Sequence, residues 1–133
     1  MTSDWLADIV IVNESGDERT PGDVGVFRSA GELCGHLEHW WVEEGYGFAF
    51  TAAGERLTLD VDGKERVIVA GREDVSDGTE IVRGWLHASA AAILDARKAK
   101  AAKGRAVLGT AEGRDQLPAS IEGLIAYVGF NRG

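Results

Sequence analysis

YGFAFTAAGERLTLDVDGKERVIVA, residues Tyr46–Ala70, carries three strand signals in succession. Tyr46, Phe48 and Phe50 alternate with small residues. Leu57, Leu59 and Val61 alternate with Arg56, Thr58 and Asp60, the period-two pattern of a strand with one buried face. Val67, Ile68 and Val69 form a short β-branched run. Ala53-Gly54 and Asp62-Gly63 separate the runs, and Asp-Gly suits a two-residue hairpin because it tolerates positive φ. The stretch therefore predicts a three-stranded antiparallel meander whose apolar face needs a cover.

Outward from the meander, Trp5–Val12 (WLADIVIV) and Asp23–Arg28 predict two further strands. They are expected to form a hairpin across the polar turn Asn13–Gly22, which reads as the most mobile segment. Ser29 with Glu32 forms a capping box. A helix should follow from Ala30 to about Val42, crossing between the two strand groups. Steps of 100° place Ala30, Leu33, Leu37, Trp40 and Trp41 on one side, with Trp41 at the margin and partly exposed. Glu32, His36, His39 and Glu43 fall on the other side. Gly71–Gly78 reads as a turn, and Asp77 with Glu80 as a second capping box.

The helix from about Thr79 to Lys103 has Ile81, Val82, Trp85, Leu86, Ala92, Ile93 and Ala96 on its apolar face. Arg97, Lys98, Lys100 and Lys103 sit near its end, where the helix dipole favours cations, and Gly104 is a plausible stop. After a connector over 105–117, Pro118 is placed in the first turn of a last helix reaching Val128. The fold class is α+β in a single domain, 1–133. A mostly antiparallel sheet in the order ββαβββαα is packed on one face by the two C-terminal helices.

At 133 residues the chain is long enough for a real core, and its formal charge of −8 disfavours nucleic acid as a partner. Residues 1–80 carry 18 acidic and 6 basic side chains, against 4 and 8 over 81–133. The acidic first part either attracts a basic protein partner or simply keeps the protein soluble, and the second is the commoner role of such a charge excess. The single cysteine, Cys34, excludes an intramolecular disulfide and fits a reducing compartment. No stretch has signal-peptide character or membrane-spanning length, so a cytoplasmic protein without membrane contact is expected.

Glu32, His36, His39 and Glu43 are spaced to stack along one helical face, and imidazole with carboxylate suits zinc. A polar stripe of this kind is equally the solvent face of a surface helix, and the His-Glu-x-x-His arrangement is missing. Trp40, Trp41, Tyr46, Phe48, Phe50 and Trp85 could line an apolar pocket or simply fill a core. Gly104–Thr110 echoes a phosphate loop without its lysine or preceding strand. Asp60–Gly63 echoes the start of a calcium loop without its remaining ligands. The basic run Arg97–Arg105 lacks interleaved aromatics. There is no Gly-x-Ser-x-Gly elbow. Cys34 and His36 would point about 160° apart on a helix. No residue is assigned as catalytic, cofactor-binding or metal-ligating, and no cofactor is expected.

Val26-Phe27-Arg28-Ser29, His36-Leu37-Glu38, Trp40-Trp41-Val42 and Gly54-Glu55-Arg56-Leu57 together resemble small acidic bacterial α+β proteins. Some of these are uncharacterised and some are immunity-type proteins that neutralise a partner toxin. The resemblance spans residues 24–70 and carries over no functional residue. It implies a non-enzymatic protein that binds a basic partner through an acidic surface. The competing expectation is a small-molecule-binding protein or small enzyme that uses the aromatic pocket with His36 or His39.

Overall fold

The computed structural model describes residues 6, 8–44, 47–104 and 117–130, with 101–104 as backbone only. Five strands form one antiparallel sheet: β1 (Val10–Glu14), β2 (Asp23–Phe27), β3 (Phe48–Thr51), β4 (Glu55–Val61) and β5 (Val67–Asp74). Their spatial order is β2-β1-β3-β4-β5. The N-terminal hairpin thus joins the meander through β1, with Val10 opposite Phe27 on one side and Thr51 on the other. The predicted meander and hairpin are both present. The element order ββαβββαα holds, with its first helix in two pieces.

The sheet is covered on both faces, where the sequence suggested a cover on one. Ile9, Ile11, Val26 and Phe50 pack against α3 (Gly78–Gly104) and α4 (Ile121–Val128). Val10, Val12, Phe27, Ala49, Leu57 and Val67 form a second core with Leu33 and Leu37 of the first helical segment. Alternation of side chains across a strand sends successive β1 residues into different cores. That is why Ile9–Val12 reads as an unbroken apolar run rather than an alternating one. α1 (Ala30–His36) touches β1, β2 and β5, so the sheet curls around it.

The predicted helix 30–42 is broken. Leu37 (φ −79°, ψ 140°) and Glu38 (φ −80°, ψ 136°) are both extended. α1 starts as expected, with the Ser29 hydroxyl accepting the Glu32 N–H at 3.1 Å. Gly35 weakens its end by about 1 kcal/mol relative to alanine. The two extended residues bury Leu37 on the second core and restart the chain as α2 (His39–Glu43), which lies beside β4.

Other boundaries also shift. β1 begins at Val10, and Trp5 lies outside the described residues. The sequence Gly71–Asp74, expected in a turn, continues β5, with Arg56 opposite Glu73 and Glu55 opposite Asp74. A bulge between Thr58 and Leu59 in the register absorbs Ala70. The β4–β5 connection is not a two-residue Asp-Gly turn. The Asp62 N–H donates to the Arg66 carbonyl at 2.9 Å, and Glu65 takes the left-handed position at φ 60°. This is the three-residue loop with a bulge. The Asp62 carboxylate accepts the Lys64 and Arg66 N–H groups at 2.8 and 3.0 Å. A hairpin turn thus occupies the stretch that echoed a calcium loop.

α3 buries Ile81, Val82, Trp85, Leu86, Ala90, Ala91 and Leu94, while the expected Ala92 and Ala96 are exposed. α4 is capped by Ser120, whose hydroxyl accepts the Gly123 N–H at 3.0 Å, so Pro118 precedes the helix. Leu124 and Ile125 are buried, and Leu117, Ile121 and Val128 pack beside them as expected. The phosphate-loop echo and the end of the basic run lie outside the described residues, beyond Gly104.

Asn13–Gly22 is anchored rather than free. Asn13 is fully buried; its amide donates to the Asp17 and Thr20 carbonyls, and its oxygen accepts the Gly22 N–H at 2.8 Å. The Trp85 indole donates to the Glu18 carbonyl at 2.8 Å. The same ring meets Phe50 edge-on at 5.2 Å. Loop, sheet and α3 are therefore joined around one buried indole.

Candidate functional site

α2 and the β4–β5 hairpin build the site. Restarting the helix at His39 turns consecutive tryptophans in different directions. Trp41 packs on the second core and closes over Gly47, where a Cβ would collide with its ring. Trp40 points outward and is 52% exposed. The order of exposure is thus the reverse of the expected one. The sequence placed Trp40 on the buried stripe, and the break at Leu37–Glu38 removes it.

Carboxylates flank this ring in sequence. Glu38, Glu43 and Glu44 are exposed on α2 and its two caps. His39 Nδ1 lies 3.0 Å from Glu43 Oε1, and Nε2 lies 3.7 Å from Glu65 Oε2 on the hairpin. His39 thus ties α2 to the β4–β5 loop. The Glu43 hydrogen bond raises its pKa above the usual histidine value, and the charges of Glu65, Glu43 and Glu38 add to the rise. The hairpin also carries Lys64 and Arg66, of which Arg66 pairs with Asp62 at 3.0 Å, so carboxylates still outnumber cations over α2 and this loop.

Glu32, His36, His39 and Glu43, which a continuous helix would have stacked on one face, are divided between α1 and α2. Glu32 stands in the first turn of α1. His36 ends α1 with its ring 5.1 Å from that of Phe27 and its Nε2 4.0 Å from Glu14. His39 and Glu43 pair within α2. Among the described residues no group of three or more His, Cys, Asp or Glu is placed to hold a metal ion.

The aromatic set is likewise divided by the sheet. Phe48, Phe50 and Trp85 belong to the α3 side and Trp41 to the other, while Tyr46 lies outside the described residues. Cys34 is half-buried against the second core, and burial pushes its thiol pKa up, away from a reactive thiolate.

A second charged assembly had no local signal in the sequence. Arg56 grips Glu18 with two hydrogen bonds, at 2.7 and 2.8 Å, and meets Glu73 at 3.1 Å. Glu18 foremost holds the guanidinium further above its ordinary pKa. Arg19 pairs with Asp77 at 2.8 Å and holds that carboxyl below the usual range. These pairs fasten the 14–22 loop to β4, β5 and the start of α3. Their partners are satisfied internally, so they are structural ties rather than a docking surface.

Arg97 rests over the Tyr127 ring at 5.2 Å and joins α3 to α4. No helix among the described residues is long and apolar enough to cross a membrane. No family model matches the chain, and no curated protein or solved structure does either.

Proposed function

We propose that this protein is a non-enzymatic binding protein that presents the acidic α2 surface to a basic protein partner, as an immunity-type inhibitor would. The observation that carries the reading is Trp40, 52% exposed on a helix whose Glu38, Glu43 and Glu44 are also exposed. A large aromatic ring kept in water adds nothing to the core. Tryptophan is enriched at the centres of binding surfaces, where it is desolvated on contact. The α2 carboxylates would steer a basic partner and set its orientation more than they would add affinity. His39 ties the helix that carries the ring to the hairpin, which lowers the cost of ordering that helix on binding.

The test is retention of host proteins on immobilised wild-type and Trp40→Ala protein, followed by association kinetics with whatever only the wild type retains. Trp40→Ala should leave stability within about 0.5 kcal/mol, as for other exposed positions. It should weaken the partner by about 2 kcal/mol or more. Glu38→Lys with Glu44→Lys should slow association roughly tenfold at low salt and lose that effect at high salt. Equal retention by wild type and Trp40→Ala, together with association indifferent to the charge reversals, would refute the proposal.

A further inference from the structure

β2 is an edge strand: among the described residues it pairs only with β1. It is nevertheless sunk between two helical layers. Val26 and Phe27 are each 1% exposed, one facing α3 and α4 and the other facing α1. A cavity of about 470 Å³ runs along this edge. Val24, Gly25 and Val26 form its floor. Ser89 and Ile93 of α3 and Phe130 after α4 form one wall, and His36 and Glu14 lie on the other. The volume is in the range of real ligand sites.

Three features narrow the occupant. Alternate residues of an edge strand aim their N–H and C=O groups away from the sheet, and these can pair with an added strand. Gly25 stands mid-strand, where the absence of a side chain lets another backbone approach closely. Glu14 and Asp23 are direct cross-strand partners on the same face and both line the cavity. Like charges placed opposite each other destabilise a sheet, so this pair is poised for a cation. His36 Nε2 is 4.0 Å from Glu14, and Arg28 lies over the Phe130 ring at 4.6 Å.

We infer that β2 is a strand-addition site. It takes an extended peptide segment that pairs with the edge as a sixth strand and sets a lysine or arginine between Glu14 and Asp23. Its alternate side chains fall to the two sides of the sheet: toward Ile93 and Phe130 on one and toward His36 on the other. None of these residues belongs to the Trp40 surface, so the two sites are separable.

The test uses a displayed library of random ten-residue peptides, selected on the full chain. The expected winners alternate apolar residues with a lysine or arginine, and binding shifts the amide resonances of Val24–Phe27. N-methylation at one set of alternate peptide positions should cost at least tenfold in affinity, and at the other set little. Glu14→Gln with Asp23→Asn should also cost about tenfold, whereas Trp40→Ala should change nothing. Four results would overturn the inference: no selected peptide, binding that leaves the β2 amides unmoved, equal tolerance of N-methylation at every position, or a small cation competing fully for the cavity without backbone pairing. A Trp40-dependent partner could still exist in each of those cases.

Discussion

Asn13→Ala tests whether one buried side chain organises the 14–22 loop. Asn13 is wholly inaccessible, in the last half of β1. Its amide makes one good bond to Thr20 (3.0 Å) and one long bond to Asp17 (3.4 Å), and its oxygen takes the Gly22 N–H at 2.8 Å. Truncation removes two full hydrogen bonds and one weak one, and strands their backbone partners in a partly buried loop. At roughly 1 kcal/mol for each full bond, plus about 1 kcal/mol for poorly rehydrated partners, the loss comes to about 3 kcal/mol. For a chain of this size that corresponds to a fall of about 10 °C in Tm.

The loop also carries the Glu18 carbonyl that receives the Trp85 indole N–H. The damage should therefore appear at a ring that Asn13 does not touch. Urea unfolding would give the stability, and the indole proton resonance and its exchange rate would report the loop. Trp85→Phe combined with Asn13→Ala should cost less than the sum of the two, since both act through the same loop. A loss below about 1 kcal/mol with an unchanged indole signal would refute the reasoning.

His39 should titrate above its ordinary value, and Glu43→Gln should bring its midpoint back down when followed by NMR. Because the folded pKa is raised, the His39 tie contributes fully below the unfolded value and is lost as pH climbs through the folded value. Stability measured against His39→Gln should thus converge with it on the alkaline side, and an advantage growing with pH would reverse the assignment. Gly54→Ala should destabilise by about 2 kcal/mol or more, since φ is +89° and a Cβ would meet the Thr79 nitrogen at 2.6 Å. Gly63→Ala, with nothing within 4 Å and no positive φ, should be neutral or slightly stabilising by thermal melting.

The strands were legible because their residues alternate or run apolar at short range, and both signals are local. The number of covered faces was legible in principle from the same residues. Leu57, Leu59 and Val61 alternate with polar neighbours, and the opposite face of β4 carries exposed Thr58 and Asp60. Ile9–Val12 does not alternate, and β1 is buried on both sides. Contacts between distant segments were not legible. Arg56 and Glu18 are 38 positions apart, and nothing in either neighbourhood marks one as the other's partner. The loop at Asn13–Gly22 looked mobile for that reason: its composition is that of a turn, and its anchors come from Asn13, Arg56, Asp77 and Trp85.

The site depends on a departure from periodicity. A helix continued from Ala30 to Val42 would have put Trp40 with Leu33 and Leu37 against the sheet, leaving a charged stripe of Glu32, His36, His39 and Glu43 in water. Two extended residues change both outcomes. They separate His36 from His39, sending one to Phe27 and Glu14 and the other to Glu43 and Glu65. They also give the core place next to Gly47 to Trp41 and leave Trp40 outside. If the exposed ring were an accident of this break, Trp40→Lys would be as well folded as the wild type and as good a binder. If the break serves the surface, Trp40→Lys would fold equally well and lose the partner of the α2 surface. Stability and binding measured on that one variant therefore separate a packing by-product from a recognition element.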